Sequence, residues 1–282
     1  MKLAFRSALL LVSWGIAHAE TSTPGVFRFS LLPKAFTANP NMEMTAFTEF
    51  TDYGRTLPAV SPQQPVYYVV HDKGFQSMGL PVGGEHPPVP AELERILQQS
   101  LMERGFLPAE GSIHLPTLAL IFYWGSHNAI AIDDGLARLF PEMRRQYIIE
   151  RATLVGGPAY ARQVTERLSY GLGARDYSTK QRYLFYQADH DLYYVVVSAY
   201  DYGFLAHNQP RLAWRTTMTV NAQGVSMQQT LPPLIQIAAE YLGRPTDEAV
   251  ALQRKVRSGT VSLGPLHVVE ENVTMPHSAP DK

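Results

Sequence analysis

Pro65-Val66-Tyr67-Tyr68-Val69-Val70-His71, then Leu93, Ile96, Leu97 and Leu101 at helical spacing, then Leu118-Ala119-Leu120-Ile121-Phe122-Tyr123-Trp124 form the stretch whose reading decides the fold. The first and last runs are short, apolar and rich in β-branched and aromatic residues, which predicts buried strands. Between them a Gly/Pro-rich loop from Gly74 to Pro90 leads into a helix. Pro90 suits its first turn, Glu92 and Glu94 complement its N-terminal dipole, and Gly105 stops it. Strand, helix and strand within about 60 residues predict a crossover with two parallel strands.

Further along, Leu192 to Tyr200 is a third apolar run, read as a buried strand. Arg211 to Val220 alternates cleanly, with Leu212, Trp214, Thr216, Met218 and Val220 on one face, and predicts a half-buried strand antiparallel to its predecessor. Ser226 and Gln229 have capping-box spacing ahead of the stripe Leu231, Leu234, Ile235, Ala238 and Leu242, closed by Gly243 and Pro245. Residues 129–190 read as an insertion. Its helices Pro141 to Leu154 and Pro158 to Leu168 are split by Gly156-Gly157-Pro158, and their balanced charges predict a solvated helical hairpin. Thr260 to Val269 is read as a further strand and 271–282 as a disordered tail. The expected fold class is α/β (α+β): a single domain over 66–270, with a mixed sheet in β-α-β / β-β-α order and the inserted hairpin.

The chain's beginning predicts where it works. Lys2 and Arg6 precede an apolar stretch, Ala8 to Ile16, too short to span a bilayer, and Ala17-His18-Ala19 is a small-x-small cleavage site before Glu20. This is the pattern of a secretory signal peptide, so a periplasmic or secreted location is expected. Removing these nineteen of 282 residues leaves 263, enough for one large domain. Residues 20–65 carry six prolines and read as an extended arm, with Phe27, Phe29, Leu31 and Leu32 as a short edge strand. With 45% apolar and 17% charged residues a substantial core is expected. A formal net charge of −1 offers no basic footprint for nucleic acid. The absence of cysteine rules out disulfides and thiolate zinc sites, and no later stretch reaches the length of a membrane span.

No phosphate-cradling loop, HExxH or nucleophile elbow is present. Gly171-Leu172-Gly173 lacks the third glycine of a dinucleotide fingerprint, and Asn272-Val273-Thr274 is a lone glycosylation sequon. If the first three strands are parallel, their C-terminal ends share one sheet edge, where ligands of open α/β sheets bind. That edge would gather His71, Asp72, Ser126, His127, Asn128, Tyr200 and Asp201. His71, Asp72, Ser126, His127 and Asp201 are therefore the catalytic candidates, including a Ser126 triad, and His71, His127 and Asp201 the metal candidates. The competing reading is that such residues simply end strands and cap helices. Asp189-His190-Asp191 is a second polar cluster that could bind one ion only within a loop. Asp133-Asp134 is read as a cap, with calcium binding as its alternative. Strand tyrosines suggest an aromatic carbohydrate or peptide groove beside ordinary core packing. No cofactor is specified.

The stretches Phe27-Arg28-Phe29-Ser30-Leu31-Leu32-Pro33-Lys34-Ala35-Phe36, Tyr123-Trp124-Gly125-Ser126-His127-Asn128, Arg151-Ala152-Thr153-Leu154-Val155-Gly156-Gly157 and Trp214-Arg215-Thr216 resemble an uncharacterised family of secreted bacterial proteins. The β-α-β then β-β-α order is more distantly similar to small envelope lipoprotein domains of unknown function, although this chain lacks the lipidated cysteine and carries the long insertion. The resemblance implies an envelope location and no catalytic residue. The expected function is an exported, non-catalytic module binding an envelope protein or a surface polymer. The alternative is a hydrolase, with or without a metal, using a His/Asp site at the sheet edge.

Overall fold

The central apolar run becomes β4 (Leu118–Asn128), whose even-numbered side chains Leu118, Leu120, Phe122 and Trp124 enter the main core. In the computed structural model the described residues are 41–80, 87–111, 113–130, 135–170 and 177–255. The predicted strands at 260–269 and 27–32, the signal-peptide segment and the 271–282 tail lie outside them.

Around β4 the elements follow in chain order as β1 (Asn41–Phe50), α1 (Asp52–Thr56), β2 (Val66–Gly79), α2 (Pro90–Met102), β3 (Phe106–Pro108), β4, α3 (Gly135–Leu139), α4 (Pro141–Tyr170), α5 (Thr179–Asp189), β5 (Leu192–Asp201), α6 (Tyr202–Ala206), β6 (Leu212–Asn221), α7 (Met227–Ala238) and β7 (Val250–Lys255). The strands form one seven-stranded sheet in the order β3-β2-β4-β5-β6-β1-β7. This is an α+β fold with a mixed sheet, as expected. The predicted crossover is present: β2 and β4 are parallel, as are β2 and β3. No described helix is long and apolar enough to cross a membrane.

Two strand expectations need correction. β5 runs antiparallel to β4, with Leu118 opposite Asp201 and His127 opposite Leu192, so the first three strands do not share a C-terminal edge. β2 does not end at His71 but continues to Gly79 through a bulge. There Asp72 Oδ1 accepts the Gly74 N–H at 2.6 Å and Gly74 takes φ +71°. The bulge resets the register so that the Phe75 ring meets Trp124, with centroids 5.6 Å apart.

The expected 20–65 arm also gives way in its second half. Asn41–Phe50 is β1, an interior strand bonded to β6 on one side and β7 on the other. Met42, Met44 and Ala46 are fully buried in the main core, and Thr45 and Thr48 bond across to Thr219 and Thr216 at 2.6 and 2.8 Å. β6 pairs antiparallel with β5 as predicted, but both of its faces are mostly buried because a helical layer lies on each side.

The first face of the sheet packs on α2 and α7. Leu93, Ile96, Leu97 and Leu101 of α2 meet Leu231, Leu234, Ile235 and Ala238 of α7 in that core. Both helices lie where their apolar stripes place them, and α7 carries the predicted Ser226–Gln229 capping box. The second face is half covered by the insertion, which is therefore a packed layer and not a solvated hairpin. Ile148, Ala152, Val155, Tyr160, Ala161 and Val164 of α4 join Tyr183, Leu184 and Ala188 of α5, Leu192 of β5 and Phe47 of β1 in a second core.

The predicted split of the hairpin holds. Gly157 sits at φ +77°, ψ −178° inside α4, and the two arms fold back so that Arg145 hydrogen-bonds Ser169. A Cβ on Gly157 would stand 2.3 Å from the Phe47 ring. Gly157→Ala is therefore expected to cost about 2–4 kcal/mol through the left-handed backbone and the clash together. Urea denaturation measures this, and an unchanged midpoint would mean that the bend does not rest on Phe47.

Candidate functional site

Antiparallel pairing of β5 separates the sequence-derived candidates. Asp201 lies beside Leu118, nine positions along β4 from His127, a distance of about 30 Å at the strand rise. His71 pairs with Ile121, six positions or about 20 Å from His127. His71, His127 and Asp201 cannot share an ion, and among the described residues no three His, Asp or Glu side chains are placed to hold a metal.

Each candidate except His71 has a local structural task. Asp72 closes the bulge. Ser126 is buried and its Oγ lies 3.3 Å from Ser77 Oγ, on the face opposite His127. Asn128 donates its Nδ2 to Leu80 O at 2.9 Å. Asp201 caps α6 by accepting the Phe204 N–H at 2.9 Å and also accepts the Tyr53 hydroxyl. Burial alone would raise the Asp201 carboxyl, but those hydrogen bonds, that of the Gly203 N–H and the Arg211 charge outweigh it and hold the group below its ordinary range.

His127 belongs to a closed polar cluster under the insertion. Its ring is fully buried, and Nε2 lies 2.9 Å from Glu150 Oε2 of α4. Nδ1 faces Arg151 Nη1 at 3.5 Å, which assigns the ring proton to Nε2. Arg151 is itself fully buried, with Nε donating to Ala188 O at 2.6 Å and Nη1 to Asn128 O at 3.2 Å. Burial pushes its guanidinium down to about 10, against the pull of Asp189 and Asp191, so it stays charged near neutrality. Asp189 in turn takes Arg144 at 2.5 Å, and Asp191 accepts the Ala129 N–H at 2.6 Å. The Asp189-His190-Asp191 cluster is thus spent on tying α4, α5 and β4 together. In the sequence Arg151 is one of the charges, with Arg144, Arg145, Arg162 and Arg167 against Glu142, Glu150 and Glu166, whose balance predicts a solvated hairpin. Its spacing of three from Ile148 and four from Val155 puts it on the apolar stripe, the one signal that could have found it.

The open half of the second face carries a different arrangement. Register places His71 opposite Ile121, Ile121 opposite Ser198, Ser198 opposite Arg215 and Arg215 opposite Glu49. These five residues form one row across β2, β4, β5, β6 and β1. His71 is exposed, Ile121, Arg215 and Glu49 are half-buried, and Ser198 is buried. Arg215 donates Nε to Ser198 Oγ at 3.0 Å. Half-buried Tyr123 and Tyr200 flank the row on the same face, and Val69 adds an exposed apolar side chain. Burial raises the Tyr123 hydroxyl, an effect the Arg215 charge opposes and Tyr200 reinforces, so these three side chains feel one another. The next row is Tyr123, Val196, Thr217 and Phe47, and Gly157 of the hairpin bend abuts Phe47. The bend therefore marks the border of the open surface. Such a row offers hydrogen-bonding, charged and aromatic groups side by side, suited to holding a ligand laid across the strands.

No protein-family model and no curated protein matches the chain. Among solved structures it is similar to a PDZ domain protein from Parabacteroides distasonis, with 10% sequence identity and a TM-score of 0.35. The match covers 76% of this chain and 39% of that one, so this chain spans well under half of that protein's length. A likeness at that level assigns neither fold nor function.

The closed cluster has a pH signature. Burial lowers His127 below its ordinary value of about 6.5, outweighing the Glu150 hydrogen bond that would raise it. The unfolded chain therefore binds a proton at a pH where the folded chain does not, and stability rises with pH across that window. The thermal midpoint is expected to be full above about pH 6.5 and to fall as pH drops below it, with a shallower fall in His127→Gln. Loss of the Asp201 contribution comes later, below about pH 4. Identical slopes in the wild type and the variant would contradict a neutral buried His127.

Proposed function

We propose that this chain is an exported, non-catalytic binding module of a bacterial cell envelope, holding an envelope protein or a surface polymer on the open half of its second sheet face. The signal-peptide pattern of residues 1–19 supports the export. The observation that carries the binding reading is the row His71–Ile121–Ser198–Arg215–Glu49 with Tyr123 and Tyr200 beside it. Its acid–base groups are far apart: His71 and Glu49 stand four strand spacings from one another, about 19 Å. Paired catalysis needs groups within hydrogen-bond reach of one reacting atom, whereas a long ligand needs contacts spread along its length.

Two measurements test the reading. Mass spectrometry of the exported protein is expected to find Glu20 at the N-terminus, and a cell-retained chain still beginning at Met1 would contradict export. The chain starting at Glu20 is expected to co-sediment with an isolated envelope fraction, and Tyr123→Ala/Tyr200→Ala to reduce that several-fold at unchanged thermal midpoint. Equal sedimentation by the variant would remove the open face as the binding surface. Breakdown of the envelope material that His71→Ala abolishes would put the hydrolase reading in its place.

A further inference from the structure

We infer that Arg215 is an anion-recognition point and that the ligand of the open face is an acidic polysaccharide whose sugar carboxylates it pairs. This rests on the binding reading above and makes it specific. Arg215 and Glu49 are directly opposite on neighbouring strands, the arrangement in which cross-strand charges normally pair. Among the described residues no ion pair joins them. The guanidinium turns instead toward β5, where Nε donates to Ser198 Oγ at 3.0 Å. Ser198 is only 2% exposed, so its hydroxyl is a fixed anchor. Nε is thereby spent, and no described residue accepts from Nη1 or Nη2. A guanidinium oriented through one nitrogen, with its remaining donors unpaired among the described residues and not buried, matches the two oxygens of a carboxylate.

The surroundings favour a sugar over a peptide. The row runs across the strands, so the floor offers side chains and no main-chain N–H or C=O. Extended peptides take their affinity from main-chain pairing along a strand edge, which this floor cannot supply. A sugar polymer needs what is present: aromatic rings for the apolar face of a pyranose from Tyr123 and Tyr200, and hydroxyl partners from Glu49, His71 and the tyrosine O–H groups. Glu49 accepts ligand hydroxyls at one end of the row while Arg215, on the neighbouring strand and three strands from the exposed His71 end, takes the charge.

Isothermal titration of the chain starting at Glu20 tests this with three probes of similar length: oligogalacturonate, its methyl ester and poly-glutamate. Oligogalacturonate is expected to bind, the ester to bind much more weakly, and Arg215→Gln to lower the affinity for the free acid by about tenfold or more with an unchanged melting midpoint. Ser198→Ala frees Nε without removing the charge and is expected to give a smaller loss. No heat with oligogalacturonate, or equal affinity in Arg215→Gln, overturns the inference. Poly-glutamate binding as tightly as oligogalacturonate, with the same dependence on Arg215, also overturns it in favour of an acidic peptide. Tyrosine-dependent envelope sedimentation that persists while oligogalacturonate fails leaves the binding module standing and removes only the acidic sugar. Loss of both removes both.

Discussion

The contact between Gly157 and the Phe47 ring is the constraint on which the rest of this molecule turns. Only a residue without Cβ fits there, and only one that accepts φ +77° can reverse α4 on itself. The reversal doubles the helix into a layer that buries Phe47, Leu192 and the Thr45–Thr219 pair on one half of the sheet. The same reversal fixes where that cover stops. Immediately beyond Phe47 the next cross-strand row stands outside the second core, running from buried Ser198 to exposed His71, and it is this row that carries Arg215 and Glu49. The insertion thus shapes the open surface by bounding it.

The second face therefore holds two polar regions of opposite kind. Under the insertion, His127 and Arg151 sit where desolvation dominates, and Arg151 directs its hydrogen bonds inward to Ala188 and Asn128. Burying an arginine is tolerable only when most of its donors are met, and meeting them ties β4, α4 and α5 into one unit. On the open half Arg215 is half-buried and oriented by a single buried hydroxyl, while its other donors are neither buried nor paired among the described residues. One region uses charge to hold the fold, and the other keeps charge available.

Much of the fold was legible because it rests on local pattern. The parallel β2–β4 pair, the stripes of α2 and α7, the alternation of β6 and the break at Gly156-Gly157 all follow from periodicity and backbone chemistry. β1 was not, because Met42, Glu43, Met44 and Ala46 are not strand-forming types, and they become a strand only by pairing with β6 and β7. The direction of β5 was not either, since an apolar run such as Tyr193-Tyr194-Val195-Val196-Val197 reads the same in both directions. That one direction dismantled the expected edge site. His71 was singled out as a catalytic and metal candidate at a strand end, whereas it lies within β2, exposed on the second face. Its neighbours along the row come from residues 49, 121, 198 and 215, and only strand register could bring them together.

The central claim is that the second face is closed at His127 and open at His71. Diethyl pyrocarbonate labelling of the folded chain, read residue by residue by mass spectrometry, tests it most directly. The account predicts rapid modification of His71 and protection of His127 until the chain is unfolded. Equal labelling of both, or protection of His71 with modification of His127, would contradict the division of the sheet face on which the account rests.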